Sequence, residues 1–272
     1  MNKKLKKDIV KMESSRRQKE NWGHQIEKSK RGAADKGHVG HMAAKMMKRS
    51  KVIEKRQKQA IAEKRKLLKD IEKYDDLKIH CLKYFQKQLI QFQHFSLSYD
   101  DKKVFEDLSL TIHNHDRVLL KGPNGCGKSS LIHFIIGENM QYQGQYVLGS
   151  QLKISYVPQD CTFLHGRLDD WIQRYDCDLT LVKTLLRKLG FSRSHFDISL
   201  ENLSQGQKKK VMLAISLATP AHLYIWDEPL NYIDIFSRMQ IEKTILTYQP
   251  TLLFVEHDQY FQETIATEVI DF

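Results

Sequence analysis

The sequence predicts an α/β fold built around a phosphate-binding loop and preceded by a basic α-helical hairpin, within 272 residues. Three observations carry this. Residues 122–129 read Gly-Pro-Asn-Gly-Cys-Gly-Lys-Ser, a complete G-x-x-x-x-G-K-S string set between an apolar run and a helix-like segment. A second apolar run, Ala221–Trp226, ends in the acids Asp227 and Glu228. The charge is also lopsided: residues 1–80 hold 25 Lys and Arg against 11 Asp and Glu, a net of +14, while the rest hold 19 against 22, a net of −3. The overall +11 therefore belongs to the first third of the chain, which reads as a polyanion-binding arm on an ordinary domain.

The arm contains no proline, and its glycines are Gly23, Gly32, Gly37 and Gly40. Leu5, Ile9 and Met12 fall at helical spacing and predict a first helix over the opening twenty residues. Met46, Ile53, Ala60, Leu67 and Tyr74 recur every seven residues, widened by Ile61, Leu68 and Ile71, which predicts a second helix from about Met42 to Tyr74. The glycines between them permit a chain reversal, so the hairpin tip spans roughly Asn21–His41. Lys45, Lys48, Arg49, Lys51, Lys55, Arg56 and Lys58 share the second helix, with Glu54 the single acid among them. Such an excess is too one-sided for i,i+4 ion pairs and suits phosphate backbone, RNA or DNA alike. Trp22 either stacks on a base or staples the hairpin. His38 and His41 lack a Cys or acidic partner that would complete a metal set.

From Gln88 the texture changes to short apolar or alternating runs. Leu89–Phe95, Ser109–Ile112 and Arg117–Lys121 read as strands, the last feeding the phosphate loop, and Leu131–Ile136 opens the helix behind it. The loop glycines let backbone N–H groups turn inward on phosphates at a helix N-terminus. Lys128 then reaches the β- and γ-phosphates, and the Ser129 hydroxyl ligates Mg²⁺. Asp227, at a strand's C-terminal end, is placed to bind the same cation, and Glu228 to polarise an attacking water as general base. No apolar run approaches the roughly 18 residues of a membrane helix, the N-terminus carries no secretory signal, and Cys81, Cys126, Cys161 and Cys177 form no C-x-x-C pair. A cytoplasmic protein with reduced thiols and no membrane partner is expected.

Four strings in fixed order complete the pattern: the phosphate loop, then Leu203-Ser204-Gln205-Gly206-Gln207 about 75 residues on, then Trp226-Asp227-Glu228 about 20 later, then His257. In that order, residues from about 89 to 272 resemble an ATP-binding-cassette nucleotide-binding domain. The resemblance implies ATP and Mg²⁺ as cofactors, bound by Gly122, Pro123, Asn124, Gly125, Cys126, Gly127, Lys128, Ser129 and Ser130. Ser204, Gly206 and Gln207 match the signature loop that caps the γ-phosphate of ATP held by an opposing cassette. Tyr99 matches the adenine-stacking aromatic, or is a plain strand residue. Gln159, in Tyr156-Val157-Pro158-Gln159, matches the glutamine that contacts Mg²⁺ and the water. His257, in Glu256-His257-Asp258, matches the switch histidine on the γ-phosphate.

Finer details resemble the ABC-F class of translation and ribosome-protection factors. LSQGQ is followed by Lys208-Lys209-Lys210-Val211. Glu228-Pro229-Leu230-Asn231-Tyr232-Ile233-Asp234 resembles that class's EPTNHLD with Leu230 and Tyr232 in place of Thr and His, a variant similar to the branch acting against lincosamide, pleuromutilin and streptogramin A drugs. A basic hairpin ahead of a second cassette is the class's linker, here residues 1–88, and the segment from His38 to Arg49 resembles that of the resistance branch. The resemblance implies an ATPase acting on the ribosome through ribosomal RNA and tRNA. The chain departs in carrying one cassette where the family has two, so a second cassette, in cis or in trans, is the expected partner for turnover. The competing expectations are a transporter's nucleotide-binding subunit, which leaves the basic arm unexplained, and an RNA-binding half-protein that is silent alone.

Overall fold

A computed structural model of the chain describes residues 77–99 and 102–272. The expected basic hairpin, with its tip at Asn21–His41 and its long helix at Met42–Tyr74, lies outside the described residues. The described residues fall in a compact unit, Asp76–Phe272. Its elements in chain order are β1 (Gln88–Tyr99), β2 (Lys102–His113), β3 (Arg117–Lys121), α1 (Lys128–Ile135), β4 (Gln141–Leu148), β5 (Ile154–Val157), α2 (Leu168–Ile172), α3 (Leu179–Lys188), α4 (Gln205–Ala218), β6 (Leu223–Asp227), α5 (Ile235–Tyr248), β7 (Leu252–Val255), α6 (Gln259–Ile265) and β8 (Glu268–Asp271).

Five strands form a parallel sheet in the order β5-β6-β7-β3-β8, and three form an antiparallel sheet in the order β2-β1-β4. The central parallel strands are apolar at nearly every position because both faces are covered. In β6, Leu223 and Ile225 face one core while Tyr224 and Trp226 face the other; in β7, Leu253 and Val255 oppose Leu252 and Phe254. The first core lies under the antiparallel sheet and α1, with Phe92, Phe95 and Phe134 in mutual ring contact. The second lies under α3, α4 and α5. The segment ahead of β1 packs into the same unit: Leu77, Ile79 and Tyr84 are buried, and Leu82 N–H donates to the Ala221 carbonyl.

The strand at Arg117–Lys121 stands where the apolar run predicts it. Strands β1 and β2 run past the expected Leu89–Phe95 and Ser109–Ile112. The alternation that marks a strand breaks at a bulge, where His94 and Asp107 take positive φ of 47° and 55° and the pairing register shifts. Helix α4 begins at Gln205 with Ser204 as its N-cap, and Asp227 is the last residue of β6 rather than the first beyond it.

Candidate nucleotide-binding site

The strand order decides what can meet. Strands β5, β6, β7 and β3 lie side by side and parallel, so their C-terminal ends share one edge, where α/β sheets place their ligands. Gln159 follows β5, Asp227 ends β6 and Glu228 follows it, Glu256 and His257 follow β7, and the Gly122–Gly127 loop follows β3. Four segments scattered over 136 residues of sequence, the Leu203–Gln207 string not among them, are thereby brought to one edge of the sheet.

The loop needs its glycines for two separate reasons. Gly127 sits at φ 108° as N-cap of α1, and a Cβ there would lie 2.7 Å from the Phe105 ring and 2.8 Å from Val104. Gly122 would carry a Cβ 2.9 Å from Cys126 Sγ and 3.0 Å from Phe272 Cβ. Only residues lacking a Cβ let the loop curl this tightly under β2 and the chain end. Helix α1 has no side-chain cap at its N-terminus, which leaves its first amides directed at an anion. Lys128 is buried, and its Nζ donates to the carbonyls of Gly122 (2.9 Å) and Pro123 (2.8 Å) with Cys126 Sγ at 3.6 Å. Its ammonium thus lies inside the curl of the loop. Pro123, Asn124 and Gly125 form the loop's exposed rim, and Ser130 follows Ser129 in the first turn of α1.

Behind the loop, Ser129 Oγ donates to Asp227 Oδ2 at 3.0 Å. Asp227 is 2% exposed, and burial pushes its carboxyl above the usual carboxylate range, partly offset by the Ser129 bond. A hydroxyl and a carboxylate oxygen at this spacing are hard donors of the kind Mg²⁺ takes. Among the described residues no group of three or more His, Cys, Asp or Glu could hold a metal. That donor set fits a cation held by one carboxylate, one hydroxyl and the oxygens of phosphate and water.

Glu228 occupies left-handed backbone at φ 48°, a strain that non-glycine residues keep chiefly at functional sites. Its side chain is 13% exposed; Oε1 lies 3.2 Å from His257 Nε2, and Oε2 accepts from Asn231 Nδ2. One carboxylate is therefore held from both sides on two loops, an arrangement able to orient a water and to keep the acid in a single rotamer.

The remaining expected residues are placed less directly. Gln159 is exposed beyond β5, and with Gln205, Lys209, Asn231 and Tyr232 it borders a cleft of about 320 Å³. Tyr99, 45% exposed, ends β1 opposite Lys102, two residues before the Val104–Phe105 pair that abuts Gly127. Ser204, Gly206 and Gln207 open α4 in a capping box: the Ser204 hydroxyl accepts from Gln207 N–H at 3.3 Å, and Gln207 Oε1 accepts from Ser204 N–H at 2.8 Å. Gly206 lies against the Tyr232 carbonyl, which a Cβ would meet at 2.3 Å.

Four residues that sequence reasoning gave no role complete the site. Lys209 is 2% exposed, and its Nζ donates to the carbonyls of Pro158 (2.7 Å), Gln159 (2.9 Å) and Asp227 (3.3 Å), tying α4 to the ends of β5 and β6; burial pushes its pKa down. Asn231 holds Glu228, while Glu256 and Arg238 brace the loops around it. Lys209 hides in a run of three lysines that resembles a solvated face. Asn231 and Glu256 stand inside strings the sequence singled out for their neighbours, and Arg238 carries no spacing that distinguishes it.

Residues 105–231 match the family model described as ABC transporter. Among curated relatives, the chain is 30% identical to ABC transporter F family member 5 of Arabidopsis thaliana, the match covering 68% of this chain and 28% of that protein. It is 30% identical to the ATP-binding protein Uup of Buchnera aphidicola (81% and 37%) and 29% identical to the ribosome protection protein VmlR of Bacillus subtilis (65% and 33%). The chain therefore spans about a third of the length of these relatives. The Uup match covers more of the chain than the described residues hold, so it reaches into the basic N-terminal region. Among solved structures, an ATP-binding subunit of an ABC transporter superposes with a TM-score of 0.57 at 21% identity, covering 67% of this chain and 85% of that one. A putative cobalt transport ATP-binding protein gives 0.55 at 22%, covering 65% and 73%. At these identities the likeness is one of fold. Residues 105–231 are thus similar to the ABC-type ATP-binding domain, the α/β fold is the one its solved neighbours share, and the relatives include ABC-F proteins.

Proposed function

We propose that this ATP-binding domain is the ATP-hydrolysing half of a ribosome-associated protein of the ABC-F kind. The observation that carries the reading is the pairing, at neighbouring strand ends, of Ser129 with Asp227 at 3.0 Å and of His257 with Glu228 at 3.2 Å. In this reading the loop from Gly122 to Ser130 cradles the phosphates of ATP, Lys128 neutralises the β- and γ-phosphates, and Tyr99 stacks on adenine. Ser129, Asp227 and Gln159 would hold Mg²⁺, which would supply charge neutralisation at the phosphates. Glu228 takes the proton of the attacking water, with His257 orienting it and contacting the γ-phosphate.

Ser204, Gly206 and Gln207 act on ATP held by a second cassette, in cis or in trans. Relatives longer than this chain, about a third of each being matched, support that need. The +14 charge of residues 1–80 and the relative described as a ribosome protection protein support ribosomal and transfer RNA as the partner. The finer assignment is protection against lincosamide, pleuromutilin and streptogramin A antibiotics, supported by the Glu228–Asp234 string and the same relative. Among the described residues no helix is long and apolar enough to cross a membrane. A transporter subunit would use the same site and leave the basic arm without a task.

Sedimentation of the Glu228→Gln chain with bacterial ribosomes, with and without ATP and over a salt series, tests the reading. ATP-dependent co-sedimentation that weakens with salt is expected, because each phosphate contact releases counterions. Absence of binding at low salt overturns the ribosome and favours the transporter.

A further inference from the structure

Glu256 has no part in the chemistry assigned above, yet it is 5% exposed and lies at the centre of the site. Its carboxylate is divided between two loops. Oε2 accepts from the Leu230 amide at 3.1 Å; Oε1 accepts from the His257 amide at 2.8 Å, with that of Asp258 at 3.4 Å. A carboxylate is expensive to bury unless its oxygens find donors, and here backbone amides supply them from both sides. Capping α6 does not explain it, since the Asp258 side chain already accepts from Phe261 N–H at 3.0 Å.

Leu230 is gripped at its other end as well. Arg238 Nη2 donates to the Leu230 carbonyl at 2.9 Å and Nε to the Ile233 carbonyl at 2.9 Å, while Nη1 reaches Asp258 Oδ2 at 3.3 Å. The turn 228–234 and the loop 256–258 are thus bridged twice, by Glu256 through an amide and by Arg238 through carbonyls. What those segments carry gives the bridge its meaning. The turn presents Tyr232, 77% exposed at φ 62°, whose carbonyl abuts Gly206, and it presents Asn231 to Glu228. The loop presents His257 to the other oxygen of Glu228.

We propose that Glu256 is a positioning residue that makes turn 228–234 and loop 256–258 move as one body. Contact at Tyr232 and Gly206, the surface offered to a second cassette, then sets the separation of His257 and Glu228. The hydrolytic pair answers to an interface it does not touch. The inference rests on the reading of Glu228 and His257 as that pair.

The test compares the full chain with Glu256→Gln and Glu256→Ser, measuring phosphate release at saturating MgATP, KM, bound ATP per chain and Tm. The carboxamide keeps the volume but turns its NH₂ toward one of the two amides, so kcat falls roughly tenfold or more while KM stays within about threefold. The Ser variant tests the same point with a small side chain should the Gln variant fold poorly. An unchanged kcat overturns the proposal, as does a loss of rate that merely tracks a loss of bound ATP. A wild-type chain that binds ATP but never turns it over, even at the highest concentration, removes instead the reading in which copies of this chain complete one another's sites. The coupling is then read from the His257 ring resonances: Tyr232→Ala shifts them in the wild-type background and leaves them still in Glu256→Gln. A shift that persists in Glu256→Gln, or is absent from both, overturns the shared-body proposal by itself.

Discussion

Asp227 illustrates the cost of burying a carboxyl beside a single hydroxyl donor. Burial raises its pKa, so the native state binds the proton more tightly than the unfolded chain does. Its contribution to stability is present below the unfolded carboxylate value and is lost as pH rises through the folded one, so at neutral pH the ionised group opposes folding. Asp227→Asn removes that charge and keeps an oxygen for Ser129. We expect a gain in stability at neutral pH, read as a raised Tm, with turnover abolished. Thermal unfolding of both proteins at pH 7 and pH 5 checks it; the gain shrinks at the lower pH, and a lower Tm for the Asn variant at pH 7 contradicts the argument. The placement of Asp227 is legible in sequence because an apolar run that ends in an acid marks a buried strand end, and the structure brings that end to Ser129. Lys209 is not, because nothing in three consecutive lysines shows which ammonium lies under three carbonyls.

Elements were legible where burial imposes a pattern. The β3, phosphate loop and α1 unit and the apolar β6 read plainly, since strands covered on both faces are apolar throughout. Strand β4, Gln-Tyr-Gln-Gly-Gln-Tyr-Val-Leu, is exposed along nearly its whole length and has no such pattern, and β8 is only four residues long. The start of α4 sets two element-scale effects against each other. Helix propensity says that Gly206→Ala stabilises by about 1 kcal/mol. The Tyr232 carbonyl 2.3 Å from the new Cβ says the opposite, and a backbone atom cannot swing aside as a side-chain end does. Overpacking of this kind costs about 1–3 kcal/mol, so the clash outweighs propensity and a Tm lowered by several degrees is expected. A raised Tm would mean that turn 228–234 yields freely, which would also weaken its coupling to the loop at His257.

At the scale of the whole molecule, charge is divided unevenly along the chain. The net +14 of residues 1–80 contrasts with −3 beyond them, and the unit Asp76–Phe272 holds every residue of the nucleotide site. That unit carries a phosphate loop and a signature loop at separate places: the first behind β3, the second at the head of α4 beside Tyr232. In the proposed mechanism each acts on ATP together with its counterpart on another cassette. Two cassettes must then meet to build a complete site; where both come from copies of this chain, hydrolysis per chain depends on the fraction assembled. When association is weak, that fraction grows in proportion to chain concentration and then saturates. Turnover per chain, measured with MgATP over a hundredfold range of concentration, is therefore expected to rise steeply before levelling, with Glu228→Gln flat at background throughout. Mixing inactive Glu228→Gln chains into a fixed amount of wild type sharpens the test, because they supply signature loops without supplying a base. They raise the rate if the signature acts across the interface. A rate per chain that ignores both concentration and added partner would place the whole reaction within one cassette and remove the need for a second.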